Sequence, residues 1–182
     1  MRSQLLITSI GEDRPGIVAR LTEVLVANGA NLEESRMAIL GGDFAAIMLV
    51  SIPSNNVPAL EKDLAKLQSE GISVTSRKTE TLDPGRFKSY NQYEIQLKGA
   101  DHEGIVHTVS SHLQQQSINI QSVETMVVHA PVTGSPLFQL KAHILVPPSI
   151  SAQDLRNSLN KIALQESVDI ELKVVNEAVA VK

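Results

Sequence analysis

The sequence predicts an α+β protein built from two copies of one module, each a four-stranded antiparallel sheet with two helices on one face. Three observations predict it. A loop of Gly11-Glu12-Asp13-Arg14-Pro15-Gly16-Ile17-Val18 separates an apolar strand-like run from an amphipathic segment. The same loop returns 88 residues later, with Gly11, Asp13, Gly16, Ile17 and Val18 answered by Gly99, Asp101, Gly104, Ile105 and Val106. Within each copy, periods of two and of three to four residues alternate in the order β-α-β-β-α-β, the split βαβ pattern. A self-match of this length is the mark of a repeat.

In the first copy, Gln4 to Ile10 reads as a strand. Residues 14 to 28 place Ile17, Val18, Leu21, Val24 and Leu25 on one helical face, with Asp13 as N-cap, Pro15 in the first turn and Gly29 beyond the end. Asn31 to Leu40 and Asp43 to Ile52 form a hairpin about Gly41-Gly42. The run from Phe44 to Val50 is apolar enough for an interior strand. Val57, Leu60, Leu64 and Leu67 define a second helix that Gly71 stops, and Ile72 to Arg77 is the last strand.

The second copy repeats this order from Tyr93. Its first helix is expected from about His102 to Gln115 with Ile105, Val106, Val109 and Leu113 inward. Ser151 and Asp154 make an N-cap pair for its second helix, and Val168 to Val174 closes the sheet. The expected domains are residues 1–80 and 92–182, joined by a linker at 81–91 around Asp83-Pro84-Gly85 and packed on each other. The copies differ at the hairpin. Gly41-Gly42 gives way to a segment over residues 129–137 that is six residues longer, since Phe44 to Phe138 is a shift of 94 instead of 88. A loop of that kind is a candidate contact segment.

Composition narrows the function. The chain has 182 residues, no cysteine and a formal net charge of -4, with eight basic and ten acidic residues in each half. No broad basic face follows, so direct nucleic-acid binding is not expected. Absence of cysteine excludes disulfides and thiolate metal sites. No run is long enough to span a membrane and nothing reads as a signal peptide, so a cytoplasmic location is the expectation. His102, His107 and His112 lie five apart, which is no metal spacing on a helix, and no Ser-His-acid arrangement is present. Neither catalytic residues, a metal site nor a cofactor is expected.

What remains is a binding loop. N–H groups at Arg14 to Ile17 and at His102 to Ile105 open a helix and can receive a carboxylate. Asn31 and Asn119 begin the strand after the first helix and can serve an ammonium or a carboxylate. In this topology each Asn lies at the other end of the sheet from its own loop, so a site shared between modules suits them better.

The Asp-Arg-Pro-Gly-Ile-Val segment, the Ala-Asn-Gly-Ala-Asn-Leu ending at Leu32 and the doubled β-α-β-β-α-β order resemble tandem ACT domains, and within them the group of the glycine cleavage transcriptional repressors. Pro131 to Phe138 resembles the long hairpin of the second domain in that group. The resemblance implies a non-catalytic amino-acid-sensing regulator, with glycine among the candidate ligands, acting on transcription through a protein partner such as a transcriptional activator. It places ligand contacts at Gly11, Asp13, Pro15, Gly16, Ile17 and Asn31, and at Gly99, Asp101, Gly104 and Asn119. Copy two has Glu103 where copy one has Pro15, so the first loop fits the pattern better. Exposed sheet edges and apolar sheet faces favour a homodimer. The alternatives are a small-molecule enzyme using a cleft between the modules and a structural module without ligand.

Overall fold

A computed structural model describes residues 1–80, 85–129 and 134–175. The chain divides into two compact units, Met1–Asp83 and Pro84–Lys182. In the first, β1 (Arg2–Glu12), α1 (Ile17–Ala27), β2 (Asn31–Leu40), β3 (Asp43–Pro53), α2 (Val57–Lys66) and β4 (Ile72–Thr79) follow the expected order. In the second, β5 (Asn91–Ala100), α3 (Ile105–Gln115), β6 (Asn119–His129), β7 (Pro136–Val146), α4 (Ala152–Glu166) and β8 (Val168–Val174) repeat it. The sheets are ordered β2-β3-β1-β4 and β6-β7-β5-β8, all pairs antiparallel.

Alternation along the strands builds each core. Leu5 and Ile7 of β1 and Phe44, Ala46, Met48, Val50 and Ile52 of β3 point to the helices and are buried. Ile17, Leu21, Val24 and Leu25 of α1 and Val57, Leu60 and Leu64 of α2 meet them. Leu67 is also buried, in a turn of 3₁₀ helix over Leu67–Glu70. Gly71, at φ 79°, lets the chain reverse into β4. Gly41 and Gly42 both have positive φ, as a tight two-residue hairpin requires. In α4 the Ser151 hydroxyl accepts from the Asp154 N–H at 3.1 Å and donates to its carboxylate at 2.6 Å, so the expected cap pair forms.

Three expectations need correction. α1 begins at Ile17, not at residue 14, and α3 at Ile105, not at His102. Asp13 is therefore no helix cap: the N-cap residue is Gly16, at φ 92° and without a side-chain cap bond, and Pro15 lies outside the helix. Gly104 takes the same place and conformation before α3, so Asp101 does not cap it either. Val18 and Val106 are 40% and 42% exposed. Each sits about 100° round the helix from the first inward residue, Ile17 or Ile105, and so misses the core. The turn of the long hairpin at 130–133, the linker residues 81–84 and the tail from 176 lie outside the described residues.

Candidate functional site

The two loops are built alike. Each leaves its first strand, is held to the neighbouring hairpin, and enters the helix through a left-handed glycine. The Asp13 N–H donates to the Gly42 carbonyl at 2.9 Å, and the Asp101 N–H to the Pro136 carbonyl at 3.3 Å. On the other side, the Arg14 guanidinium donates to the Glu70 carbonyl at 2.8 Å, where the second helical segment ends. His102 stands at the matching position and reaches the Glu166 carbonyl at 3.0 Å through Nε2. Its Nδ1 lies 3.1 Å from the Glu103 carbonyl. Two carbonyl acceptors require both ring nitrogens to donate, so the imidazolium is favoured. These backbone contacts hold the His102 pKa above its ordinary value.

Below the first loop Arg20 grips Glu70 with three bonds of 2.7 to 3.2 Å and also reaches Glu23 at 2.9 Å. The guanidinium in turn holds the Glu70 carboxyl below the usual range. The helix entrance is thus tied on both sides. The Arg20 N–H closes the first helical bond on the Gly16 carbonyl at 2.8 Å. Gly16, Val18 and Ala19 N–H groups find no backbone acceptor among the described residues. They open into a groove of about 520 Å³ lined by Asp13, Gly16, Val18, Met37, Ile39 and Phe44 among others. That volume lies in the range of small-molecule sites. A carboxylate set against the N–H groups would gain from the helix dipole.

The residues expected at a ligand site do not all meet. Gly11, Asp13, Pro15, Gly16 and Ile17 gather at one end of the first sheet, where Gly11 pairs with Phe44. Asn31 pairs with Ser51 on the same strand β3, seven residues further on. At about 3.4 Å per residue the separation is about 24 Å, too far for one amino acid to touch both. Asn31 is moreover engaged, donating to Glu33 at 3.0 Å. In the second unit Gly99 pairs with Phe138 while Asn119 pairs with Leu145, so Asp101 and Gly104 are likewise remote from Asn119.

The glycines have local reasons of their own. A Cβ on Gly11 would lie 2.8 Å from the Gly71 carbonyl oxygen, and one on Gly99 would lie 2.5 Å from Val168 Cγ1. Close approach of the neighbouring strand therefore demands glycine at both. A Cβ on Gly16 or Gly104 would meet nothing within 4 Å, and there the positive φ is the constraint. Sequence reasoning missed Met37 and Ile39, which line the groove from β2. Their apolar character is visible in the sequence, but only the pairing of β2 beside β3 brings them to the loop.

Two split βαβ modules with this helix-entry loop define a tandem ACT-domain protein. Residues 3–75, the first of the two modules, match the ACT domain family, and the second module repeats the same strand and helix order. More particularly, it is similar to the glycine cleavage system transcriptional repressor of Escherichia coli, 26% identical over 172 residues that cover 94% of this chain and 90% of the repressor. A UPF0237 protein of Methanococcus maripaludis is 44% identical over 73 residues, which are 38% of this chain and 81% of that protein. Phosphoserine phosphatase SerB2 of Mycobacterium tuberculosis is 27% identical over 93% of this chain but only 40% of its own length. A solved structure of an unknown protein from Galdieria sulphuraria superposes with a TM-score of 0.80 at 32% identity, covering 97% of this chain and all of that one.

Proposed function

We propose that this chain is a non-catalytic regulator that senses a small amino acid and controls transcription of glycine metabolism through contact with a protein partner. The observation that carries the reading is the likeness to a transcriptional repressor over nine-tenths of both chains. The phosphatase, by contrast, is matched over 40% of its length, so its activity is not carried over to this reading. The ligand site in this reading is the first loop: the open N–H groups at the start of α1 take the carboxylate. The apolar wall of Met37, Ile39 and Phe44 then limits the side chain. Gly11 is assigned to strand packing and Asn31 to the far end of the sheet. The second loop, at Gly99, Asp101 and Gly104, is a weaker candidate because Glu103 brings a like charge towards an incoming carboxylate. Asn31 and Asn119 could serve only a ligand presented by another module.

Thermal melting in the presence of each of the twenty amino acids tests the reading, because a ligand of the native state raises stability by mass action. A rise in melting temperature with one or a few small amino acids, glycine among them, is expected. No shift with any of the twenty would leave a structural module without ligand.

A further inference from the structure

The open faces of the two sheets, turned away from the helices, are chemically opposite. In the first unit the two inner strands present Leu6, Thr8, Ile10, Ala45, Ile47 and Leu49. The shifts of 88 and 94 map these six positions onto Glu94, Gln96, Lys98, Gln139, Lys141 and His143 of the second. There the side chains form a polar network centred on Glu94. Glu94 lies 3.1 Å from Lys141 and 3.6 Å from His143, and accepts from Gln96 at 2.6 Å. An antiparallel sheet with one wet face alternates in this way. The first sheet breaks that rule, with Ile10 53% and Ile47 43% exposed. Even Thr8 does not need water, since its hydroxyl is bonded to that of Thr75 at 2.6 Å.

We propose that this face is a docking surface for a second copy of the chain, packed sheet to sheet about a two-fold axis running along the strands. The register supplies the argument for a copy of itself. One row across the sheet reads Glu34, Leu49, Leu6, Arg77, from edge to edge. A two-fold axis along the strands lays β2 of one copy over β4 of the other. Glu34 then meets Arg77 at both edges, and Leu6 meets Leu49 in the middle. The neighbouring row, Arg36, Ile47, Thr8, Thr75, sets Ile47 against the methyl side of Thr8 without opposing like charges. An apolar centre with a charged rim is the anatomy of a specific interface, and self-complementarity is what an isologous contact requires. Four strands about 4.8 Å apart and about eight residues long give a footprint on the order of 500 Å² on each copy. Both copies together reach about 1,000 Å², the lower bound for a stable contact.

The second unit provides the substitutions that test this. Lysine stands at positions 98 and 141 on the same fold, so Ile10→Lys/Ile47→Lys keeps a residue type that the equivalent positions carry. Sedimentation at micromolar concentration is expected to give about twice 19.7 kDa for the natural chain and 19.7 kDa for the double variant, with unchanged circular dichroism. The dissociation constant should rise about 100-fold or more. Arg77→Glu should weaken the dimer several-fold, and much less so in a Glu34→Gln background, since the two residues pair across the axis. A natural chain sedimenting at 19.7 kDa would overturn the proposal. So would a double variant that folds and still dimerises, which would put the contact at the exposed edges β2 or β6. Equal weakening by Arg77→Glu in both backgrounds would overturn the axis.

Discussion

Ser9 holds, in the first module, the position that Leu97 holds in the second. It faces the helices from β1, is 4% exposed, and its hydroxyl has no hydrogen-bond partner among the described residues. Its cross-strand neighbour Ala46 is matched by Leu140, so a leucine pair in one core is a serine and an alanine in the other. An unsatisfied buried hydroxyl costs about 1–3 kcal/mol. Ser9→Ala removes that penalty with little loss of volume and should raise the unfolding free energy by about 1 kcal/mol. Urea denaturation checks it, and a loss of stability would mean that the hydroxyl has a bonding role. Other single residues resist reading from the sequence. Gly11 and Gly16 look like one motif, yet one is glycine because β4 comes close and the other because of its φ. Asp13 looks like a cap because aspartate usually is one before a helix. The left-handed glycine three residues on moves the helix start beyond its reach.

Elements were far more legible than caps. β2 and β8 lie at the expected bounds, and β1, β3 and β4 differ from theirs by one or two residues at their ends. Period-two burial and turn glycines are local signals, and they survive folding unchanged. The bulge between Leu32 and Glu34, where β2 shifts register against β3, left no such signal. Nor did the pinning of each loop to the far end of its second helical segment, because Arg14 and Glu70 are 56 residues apart. That pin has a testable difference between copies. Where the first copy uses Arg14 the second uses His102, whose pKa is raised from 6.5 by the Glu166 and Glu103 carbonyls. A raised histidine contributes stability that is complete below 6.5 and is lost as pH climbs through its folded value. His112 runs the other way. Burial pushes its pKa down, and its Nε2 lies 2.7 Å from the Gln116 amide nitrogen, so the neutral ring is favoured and stability is given up as pH falls. Proton NMR should find His102 titrating above 6.5 and His112 below it. His102→Arg, which installs the residue of the first copy, should flatten the stability profile on the alkaline side. A His102 midpoint at or below 6.5 would contradict the pin.

At the scale of the whole molecule, the repeat made the fold readable, and divergence between the repeats marks where the two modules differ chemically. The distance between Asn31 and its own loop follows from topology alone, and the register measures it. What the sequence could not order was the role of the apolar residues on β2 and on the open sheet face, because inside and outside positions alternate and only pairing tells them apart. Among the described residues no helix is long and apolar enough to cross a membrane. The first module carries both the groove and the apolar face, and the second offers a charged face and a titratable pin in their places.

The central claim is that the entrance of α1 receives an amino-acid carboxylate, and titration calorimetry of the natural chain and of Val18→Glu tests it most directly. Val18 is exposed at the second helical position and lines the groove, so a glutamate there lays its own carboxylate over the open N–H groups. A negative charge in the first turn stabilises a helix by about 0.3–1 kcal/mol, so the fold should be kept or slightly strengthened. Replacing Gly16 would be a poorer test, since any side chain is strained at its φ of 92° whether or not a ligand binds. With the amino acid that raises the melting temperature most, the natural chain should bind, and Val18→Glu should bind at least about ten-fold more weakly, a difference of about 1.4 kcal/mol. Equal affinity in the two proteins would contradict the account and move the ligand away from this loop.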